Sequence, residues 1–440
     1  MKNSSKLTAA IEILADFEAR HVPLKTAIAD WGRSNRYAGA KDRAWISGLC
    51  LDVLRKRHSL GAAMGSDTPR ALVLAAARFL WAMPVETLTE LAVEEPYGPG
   101  ALTDTETKAL SALSLERADG NEGLHIGGDF PEWLVPQVER VFGASSAQIM
   151  SAFAQRADVD LRINTLKSTP EKTLAALKTV KGEAAPILTN AARIDAPDPS
   201  QKAPAVTIIP AFNKGWVEVQ DLGSQIAAAA AGDIKGGQVL DYCAGGGGKS
   251  LALAALMENT GQLYAYDRDA RRLKPLYSRA KRAGVRNIQV INPLTDKPAL
   301  ASLEGKMDVV FVDAPCSGAG TWRRHPDTKW RLTEKQLATR MREQDQVLEQ
   351  AAKFVKPGGR MVWVTCSFLM EENEDRLAGF LDQHKDFQIV PVLEAVTMSG
   401  LLTEEAGSII RTCVTSDGNL RLTPDKIRAD GFFVSVMQMA

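Results

Sequence analysis

Cysteine is scarce in this chain and never closely paired. The five copies, Cys50, Cys243, Cys316, Cys366 and Cys413, include no C-x-x-C spacing, which argues against a zinc site. Their number is odd, so no disulfide framework is expected, and reduced thiols in a cytosol fit best. Long apolar runs are also missing, and none approaches the ~20 residues that span a bilayer. The opening stretch Met1-Lys-Asn-Ser-Ser-Lys6 leads into an amphipathic helix pattern and not into a signal h-region, so a cytoplasmic protein is expected. Repeats and low-complexity tracts are absent. Two nucleotide motifs fail as well. A phosphate loop needs glycine five positions before Gly248-Lys249, where Cys243 stands, and the pattern G-x-G-x-x-G breaks at Ser250.

Net charge is another absence, because 53 Lys/Arg balance 53 Asp/Glu. The average hides segregation. Residues 1–60 carry 11 basic against 6 acidic residues, and residues 86–132 carry 2 against 11. Residues 268–286 carry 8 against 1, and residues 321–342 carry 7 against 2. Either basic run alone reads as a solvated helix face. Two runs flanking one candidate site point toward nucleic acid.

At 440 residues, 45% of them hydrophobic, the chain has room for two or three domains. Three are expected. Residues 1–125 show apolar spacing near 3.6, as in Ile11-Ile13-Leu14-Phe17 and Ile46-Leu49-Leu51-Leu54, and no strand alternation. A glycine-containing stretch, Gly120 to Gly128, closes this helical part. Residues 126–235 read as a small α+β unit: strands at Val159–Asn164, Val206–Pro210 and Trp216–Gln220, with a helix at Pro170–Leu177. Residues 236–440 alternate β-α-β-α, with strands at 238–242, 262–266, 287–291, 308–312 and 360–365. This rhythm predicts a doubly wound parallel sheet. The tail at 431–437 reads as a late strand at an antiparallel edge.

The chemistry concentrates at three strand ends in that last domain, where ligands of open α/β sheets bind. The first end is Asp241-Tyr-Cys-Ala-Gly-Gly-Gly-Gly-Lys-Ser250, a glycine turn between strand and helix that lets backbone approach a ligand. Asp267 ends the next strand, 19 residues beyond Gly248, where an acid commonly accepts ribose hydroxyls. Turn plus acid suggest an adenosine-type cofactor without a phosphate grip, which S-adenosylmethionine satisfies better than NAD or ATP. A plain structural turn and a helix-capping Asp267 are the bland alternatives. The second and third ends carry Asp313-Ala-Pro-Cys316 and Thr365-Cys366. A thiol near pKa ~8.5 is only ~3% thiolate at pH 7, so a reactive cysteine needs an activating site. Buried small hydrophobes are the common alternative, and Cys50 and Cys413 read that way. Cys243 reads as structural.

These segments resemble the Sun family of RNA cytosine-5 methyltransferases, of the bacterial ribosomal RNA type. The resemblance rests on Asp241–Lys249, Asp313-Ala-Pro-Cys-Ser-Gly318, Arg324-His-Pro-Asp327 with Lys329-Trp330, and Thr365-Cys-Ser367 with Glu371-Glu-Asn373. Upstream, Leu161-Arg-Ile-Asn-Thr-Leu166 and Val219-Gln-Asp-Leu-Gly-Ser-Gln225 resemble the family's preceding subdomain. Gly39–Arg57 resembles a NusB-like helical RNA-binding domain. The family's Ala-Pro is replaced here by Gly245-Gly246, and its Gly-Asp pair after the third strand by Ile291-Asn292-Pro293.

The resemblance implies a Rossmann-like methyltransferase domain behind a small α+β (ferredoxin-like) subdomain and a helical front. It implies S-adenosylmethionine as cofactor, held by Asp241, Cys243, Ala244, Gly245, Gly246, Gly247, Gly248, Lys249, Asp267, Arg272, Asn292 and Asp313. It further implies Cys366 as the nucleophile at cytosine C6, Cys316 as the residue assisting release, and Asp313 at the base edge. Lys249 either orients groups near the methyl donor or is a helix-surface lysine. Arg323, Arg324, Lys329 and Arg331 are candidate phosphate contacts. The expected substrate is an unpaired cytosine of small-subunit ribosomal RNA, with the protein a monomer. Two rivals remain: an exocyclic-amine RNA methyltransferase, and a non-catalytic RNA-binding assembly factor.

Overall fold

A computed structural model describes residues 1–112, 115, 123–197 and 206–440; Gly120 lies outside them. The described residues form two compact units. One comprises Met1–Arg156, Ala196–Ala203 and Trp322–Leu332, and the other Ala157–Asp195, Pro204–Thr321 and Thr333–Ala440.

The first unit is helical, with no strand among its described residues. Its helices Asn3–Arg20, Leu24–Ser34, Ala40–Arg55 and Pro69–Ala75 bury the apolar stripe that their spacing predicts. Leu7, Ile13, Leu14, Phe17, Ile46, Leu49, Val53 and Leu72 share one core. The Thr68 hydroxyl accepts from Ala71 N–H, and Pro69 sits in the first turn, which starts that helix cleanly. The segment Trp322–Leu332 belongs here by its bonds. Trp330 Nε1 donates to Leu54 O at 2.6 Å, Arg55 Nε donates to Arg323 O at 2.8 Å, and Leu24 N–H donates to Asp327.

The second unit holds two sheets. The smaller is antiparallel, in order β2 (Glu183–Ala184), β3 (Ala191–Ile194), β1 (Val159–Ile163), β4 (Val217–Val219). Helix Pro170–Leu177 forms as expected, capped by Thr169. The strand expected at Val206–Pro210 does not form. A 3-10 turn at Val206–Ile208 leads into the short helix Pro210–Asn213, with the fixed φ of Pro210 opening it.

The larger sheet has five parallel strands in the order β9 (Val355–Thr365), β8 (Met307–Asp313), β5 (Gln238–Asp241), β6 (Gln262–Tyr266), β7 (Ile288–Ile291). Beyond β9 lie antiparallel β12 (Phe432–Met439) and β10 (Phe387–Val390), and β11 (Leu420–Leu422) also pairs with β12. The tail strand is therefore antiparallel as read, but interior: it pairs with both β9 and β10. Side chains alternate between two cores. Val239, Val309, Phe311, Val362 and Val364 enter one, while Leu240, Val310, Val312, Met361 and Trp363 enter the other. Both faces are covered, which is why these strands read as unbroken apolar runs. From β5 the chain moves outward through β6 to β7, then returns to β5's other side as β8. The switch lies between β5 and β8, and open α/β sheets bind ligands at the carboxyl ends beside such a switch.

Candidate active site

At the end of β5 the chain must turn at once into helix Gly248–Leu256. Gly247 does this with φ 83°, and a methyl there would strike Leu276. Only glycine adopts that conformation cheaply. Gly245 also has positive φ, its N–H donates to Asp267 Oδ2 at 3.0 Å, and Arg272 pairs with the same carboxylate at 3.1 Å. Asp267 Oδ1 accepts from Asp269 N–H. Asp267 is thus 2% exposed and joins the turn to the start of helix Ala270–Ala283. Beneath the turn, Asp241 is fully buried. Its Oδ2 accepts from Ser250 Oγ at 2.6 Å, while its Oδ1 has no hydrogen-bond partner among the described residues. Burial pushes this carboxyl up to about 7, against the Ser250 bond. Burial also pushes the Cys243 thiol well up, so it acts as a small apolar group.

Lys249, in the first turn of the helix, reaches across to β8 and pairs with Asp313 at 2.7 Å. Burial opposes its charge, but Asp313, through field and hydrogen bond, wins and raises the Lys249 pKa. Lys249 is not a surface lysine: it is 9% exposed. At the ends of β8 and β9 the two sulphurs meet, Cys316 Sγ to Cys366 Sγ at 3.4 Å. The hydrogen bond with Cys366, and then burial, hold Cys316 as a thiol well above the ordinary range.

Side chains outside the sequence-derived set hold this pair. Glu372 accepts from Ser317 N–H at 2.7 Å and Ser317 Oγ at 2.5 Å. Gln344 Nε2 bridges Pro315 O and Glu372 Oε1, at 2.8 and 3.1 Å. Asn373 accepts from Thr365 Oγ1 and donates to Ser367 O. The Cys366 carbonyl accepts from Gly320 N–H at 2.9 Å. Gln344 did leave a signal in the sequence: it is a polar residue on the apolar stripe of helix Glu334–Ala352, in line with Leu337, Leu348 and Ala351.

The other candidates have the following local partners. Asn292 closes a local turn, its Oδ1 accepting from Leu294 N–H. Arg323 and Lys329 are buried inside the helical unit, at 4% and 1% exposure. Arg323 donates to Arg156 O and Lys329 to Arg55 O, so both anchor their segment. Burial brings the Lys329 ammonium down to about 7. Arg324 and Arg331 are half-buried.

A basic face that the sequence showed only as charge counts lies on helix Ala270–Ala283. Leu273, Leu276 and Ala280 are buried, and Arg271, Lys274, Tyr277 and Lys281 are exposed. Asn164 Nδ2 binds both Gly215 O and Ala283 O at 2.8 Å, joining this helix to the small sheet. There Lys172 and Lys214 lie 4.5 and 4.9 Å from the Trp216 ring.

No helix among the described residues is long and apolar enough to cross a membrane, and no cluster of three metal-type ligands occurs among them. The family described as 16S rRNA methyltransferase RsmB/F matches residues 232–438, and the ferredoxin-like domain of that family matches residues 130–200. The probable ribosomal RNA small subunit methyltransferase B of Synechocystis sp. is 32% identical over 315 residues, covering 71% of this chain and 67% of that protein. The ribosomal RNA small subunit methyltransferase B of Photorhabdus laumondii is 30% identical over 292 residues, covering 66% and 65%. The crystal structure of PH0851 shares the fold, with a TM-score of 0.69 at 24% identity over 99% of this chain and 98% of that one. With a doubly wound sheet, a ferredoxin-like unit before it and two thiols at adjacent strand ends, the chain belongs to the RsmB/F family of 16S rRNA methyltransferases.

Proposed function

We propose that this protein methylates carbon 5 of a cytosine in small-subunit ribosomal RNA, through a covalent bond between Cys366 and cytosine C6. The observation that carries the reading is the pair of sulphurs 3.4 Å apart beside the Lys249–Asp313 ion pair. The site fits S-adenosylmethionine. The glycine turn presents close backbone at the end of β5, with Arg279 lying over Gly246 and Gly248. Asp241 Oδ1, buried without a hydrogen-bond partner among the described residues, can accept from a donor such as an ammonium group. Asp241, Cys243 to Lys249, Asp267, Arg272, Asn292 and Asp313 are the proposed cofactor contacts. When bound, S-adenosylmethionine supplies an electrophilic methyl group.

Cytosine C5 is too weak a nucleophile to take that methyl unaided. The Cys366 thiolate adds to C6, and the electrons of the C5–C6 double bond become available at C5, as in an enamine. Asp313 accepts hydrogen bonds from the exocyclic amine and from protonated N3, stabilising charge where it develops. Lys249 fixes Asp313 for that role. Once C5 carries the methyl group, its proton passes to water, the C5–H electrons form the C5=C6 double bond, and the C6–S bond breaks with its electrons returning to Cys366. Cys316 assists at that point as the hydrogen-bond partner, 3.4 Å away, of the sulphur that leaves. The base must first come out of its stack, at a cost of about a few kcal/mol, least for an unpaired nucleotide.

Incubation of the protein with S-adenosylmethionine and 30S subunits or naked RNA from cells lacking it, followed by nucleoside mass spectrometry, tests the reading. New 5-methylcytidine is expected. An N-methylated nucleoside overturns the thiol mechanism and favours the exocyclic-amine rival.

A further inference from the structure

Two thiols 3.4 Å apart share one proton when a single negative charge resides on the pair. A productive adduct needs that charge on one named sulphur. We propose that Glu372 is the positioning residue that makes this choice: it ties down the Cys316 loop and sets a buried negative charge on the Cys316 side, so that Cys316 remains the S–H donor and Cys366 the nucleophile. The inference rests on the two-thiol reading above and adds a residue to it.

The geometry is asymmetric around the pair. Glu372 is fully buried, and the groups on its oxygens are donors: Ser317 N–H at 2.7 Å, Ser317 Oγ at 2.5 Å and Gln344 Nε2 at 3.1 Å. Burial raises the pKa of this carboxyl, while the donors around it favour the carboxylate, which offers only acceptors. Gln344 also donates to Pro315 O at 2.8 Å. Both neighbours of Cys316, Pro315 and Ser317, are therefore held by one Glu372–Gln344 clamp. The clamp spans three elements: the turn Met370–Glu372, the loop after β8, and helix Glu334–Ala352.

The charged groups facing the thiols among the described residues divide accordingly. Glu372 acts on Cys316 and raises the cost of a thiolate there. Lys249, from the helix after the glycine turn, acts on Cys366 with the opposite sign. Asp313 from β8 and Asp241 from β5 both act on Lys249. Two thiols of the same intrinsic chemistry thus sit in a field that falls from one to the other. Glu372 is fully buried, so little water screens its side of the pair.

The test uses the full-length protein and no RNA. Iodoacetamide alkylation of Cys316 and Cys366 is timed from pH 6 to 9 and mapped by mass spectrometry, because only the thiolate reacts. In the wild type, Cys366 is expected to react first, with Cys316 lagging by about tenfold, one pKa unit of bias. Glu372→Gln keeps the size and an acceptor oxygen but removes the charge, and it should bring the two rates to within about threefold. Glu372→Asp restores the charge at one methylene's greater distance and should give an intermediate ratio. If Glu372→Gln fails to fold, the Asp variant carries the test alone. An unchanged rate ratio in a folded variant overturns the proposal, since a merely structural Glu372 would shift stability and not partition. Because the readout is independent of product, the outcomes separate. A shifted ratio with no 5-methylcytidine from wild type sinks the proposed reaction and leaves Glu372 as the selector, whereas 5-methylcytidine with an unshifted ratio does the reverse.

Discussion

Cys366 and Cys316 face each other at one sulphur–sulphur contact, yet removing them should have opposite consequences. Cys366→Ala abolishes addition to C6, so methylation falls to background and no adduct forms. Cys316→Ala leaves addition and methyl transfer possible but removes the S–H that helps the sulphur leave. Denaturing gels should then show a protein–RNA band that persists with Cys316→Ala and is absent with Cys366→Ala. Equal loss without any band in either variant would reject the assigned roles. Asp241 offers a prediction through stability. Its carboxyl, raised from 3.8 to about 7 by burial, holds a proton in the fold that the unfolded chain releases near pH 4. Its contribution is therefore complete below pH ~4 and is lost as pH rises through 7, by about 1.4 kcal/mol for each pKa unit. Asp241→Asn removes this slope, and melting curves of the unliganded variant between pH 4 and 8 should be flatter than wild type. A parallel pair of curves would contradict the buried, protonated carboxyl.

Among the elements, helix Pro326–Arg331 makes the opposite-signed prediction. Burial lowers the Lys329 ammonium from 10.5 to about 7, so its contribution is complete above pH ~10.5 and is lost as pH falls through 7. Lys329→Met should stabilise the protein at pH 6 more than at pH 9, read by melting temperature, because a buried charge is replaced by an apolar side chain of similar length. This helix also marks where the sequence stopped being legible. The parallel strands, the glycine turn and the strand-end cysteines were readable, because each is a local pattern: an apolar run, a φ only glycine takes, a residue type at a boundary. Which side of a six-residue helix is buried is not local. Lys329 finds its acceptor on Arg55, 274 residues away, and Arg323 finds Arg156, 167 away. The run Val206–Ile209 misled for a related reason: its β-branched residues favour a strand, but Pro210 opens a helix and the run feeds it as a 3-10 turn. Glu372 stood in a quoted motif and Gln344 on an apolar stripe; only the fold brings them together under Cys316.

For the whole molecule, the zero net charge leaves affinity for RNA to arrangement. Exposed Lys274 and Lys281 lie on one helix whose carboxyl end is bonded, through Asn164, to the loop carrying Lys214 and Trp216. Lys172 and Lys214 both approach the Trp216 ring, and Tyr277 is 58% exposed. Cations interleaved with aromatic rings suit a single-stranded stretch, with phosphates on the lysines and bases on the rings. Each phosphate neutralised adds about 0.7 to the slope of log affinity against log salt for a single strand. The double variant Lys214→Glu, Lys281→Glu should therefore weaken RNA binding at 50 mM salt and flatten that slope by roughly 1.4, measured by fluorescence anisotropy from 50 to 300 mM. Turnover at saturating RNA should stay at the wild-type rate, because neither lysine touches the cysteines, Lys249 or the glycine turn. A weaker affinity with an unchanged slope would mean that the lysines act through folding and not through phosphates. An unchanged affinity would move the RNA path off this face, leaving Arg324 and Arg331 as the phosphate contacts to test next.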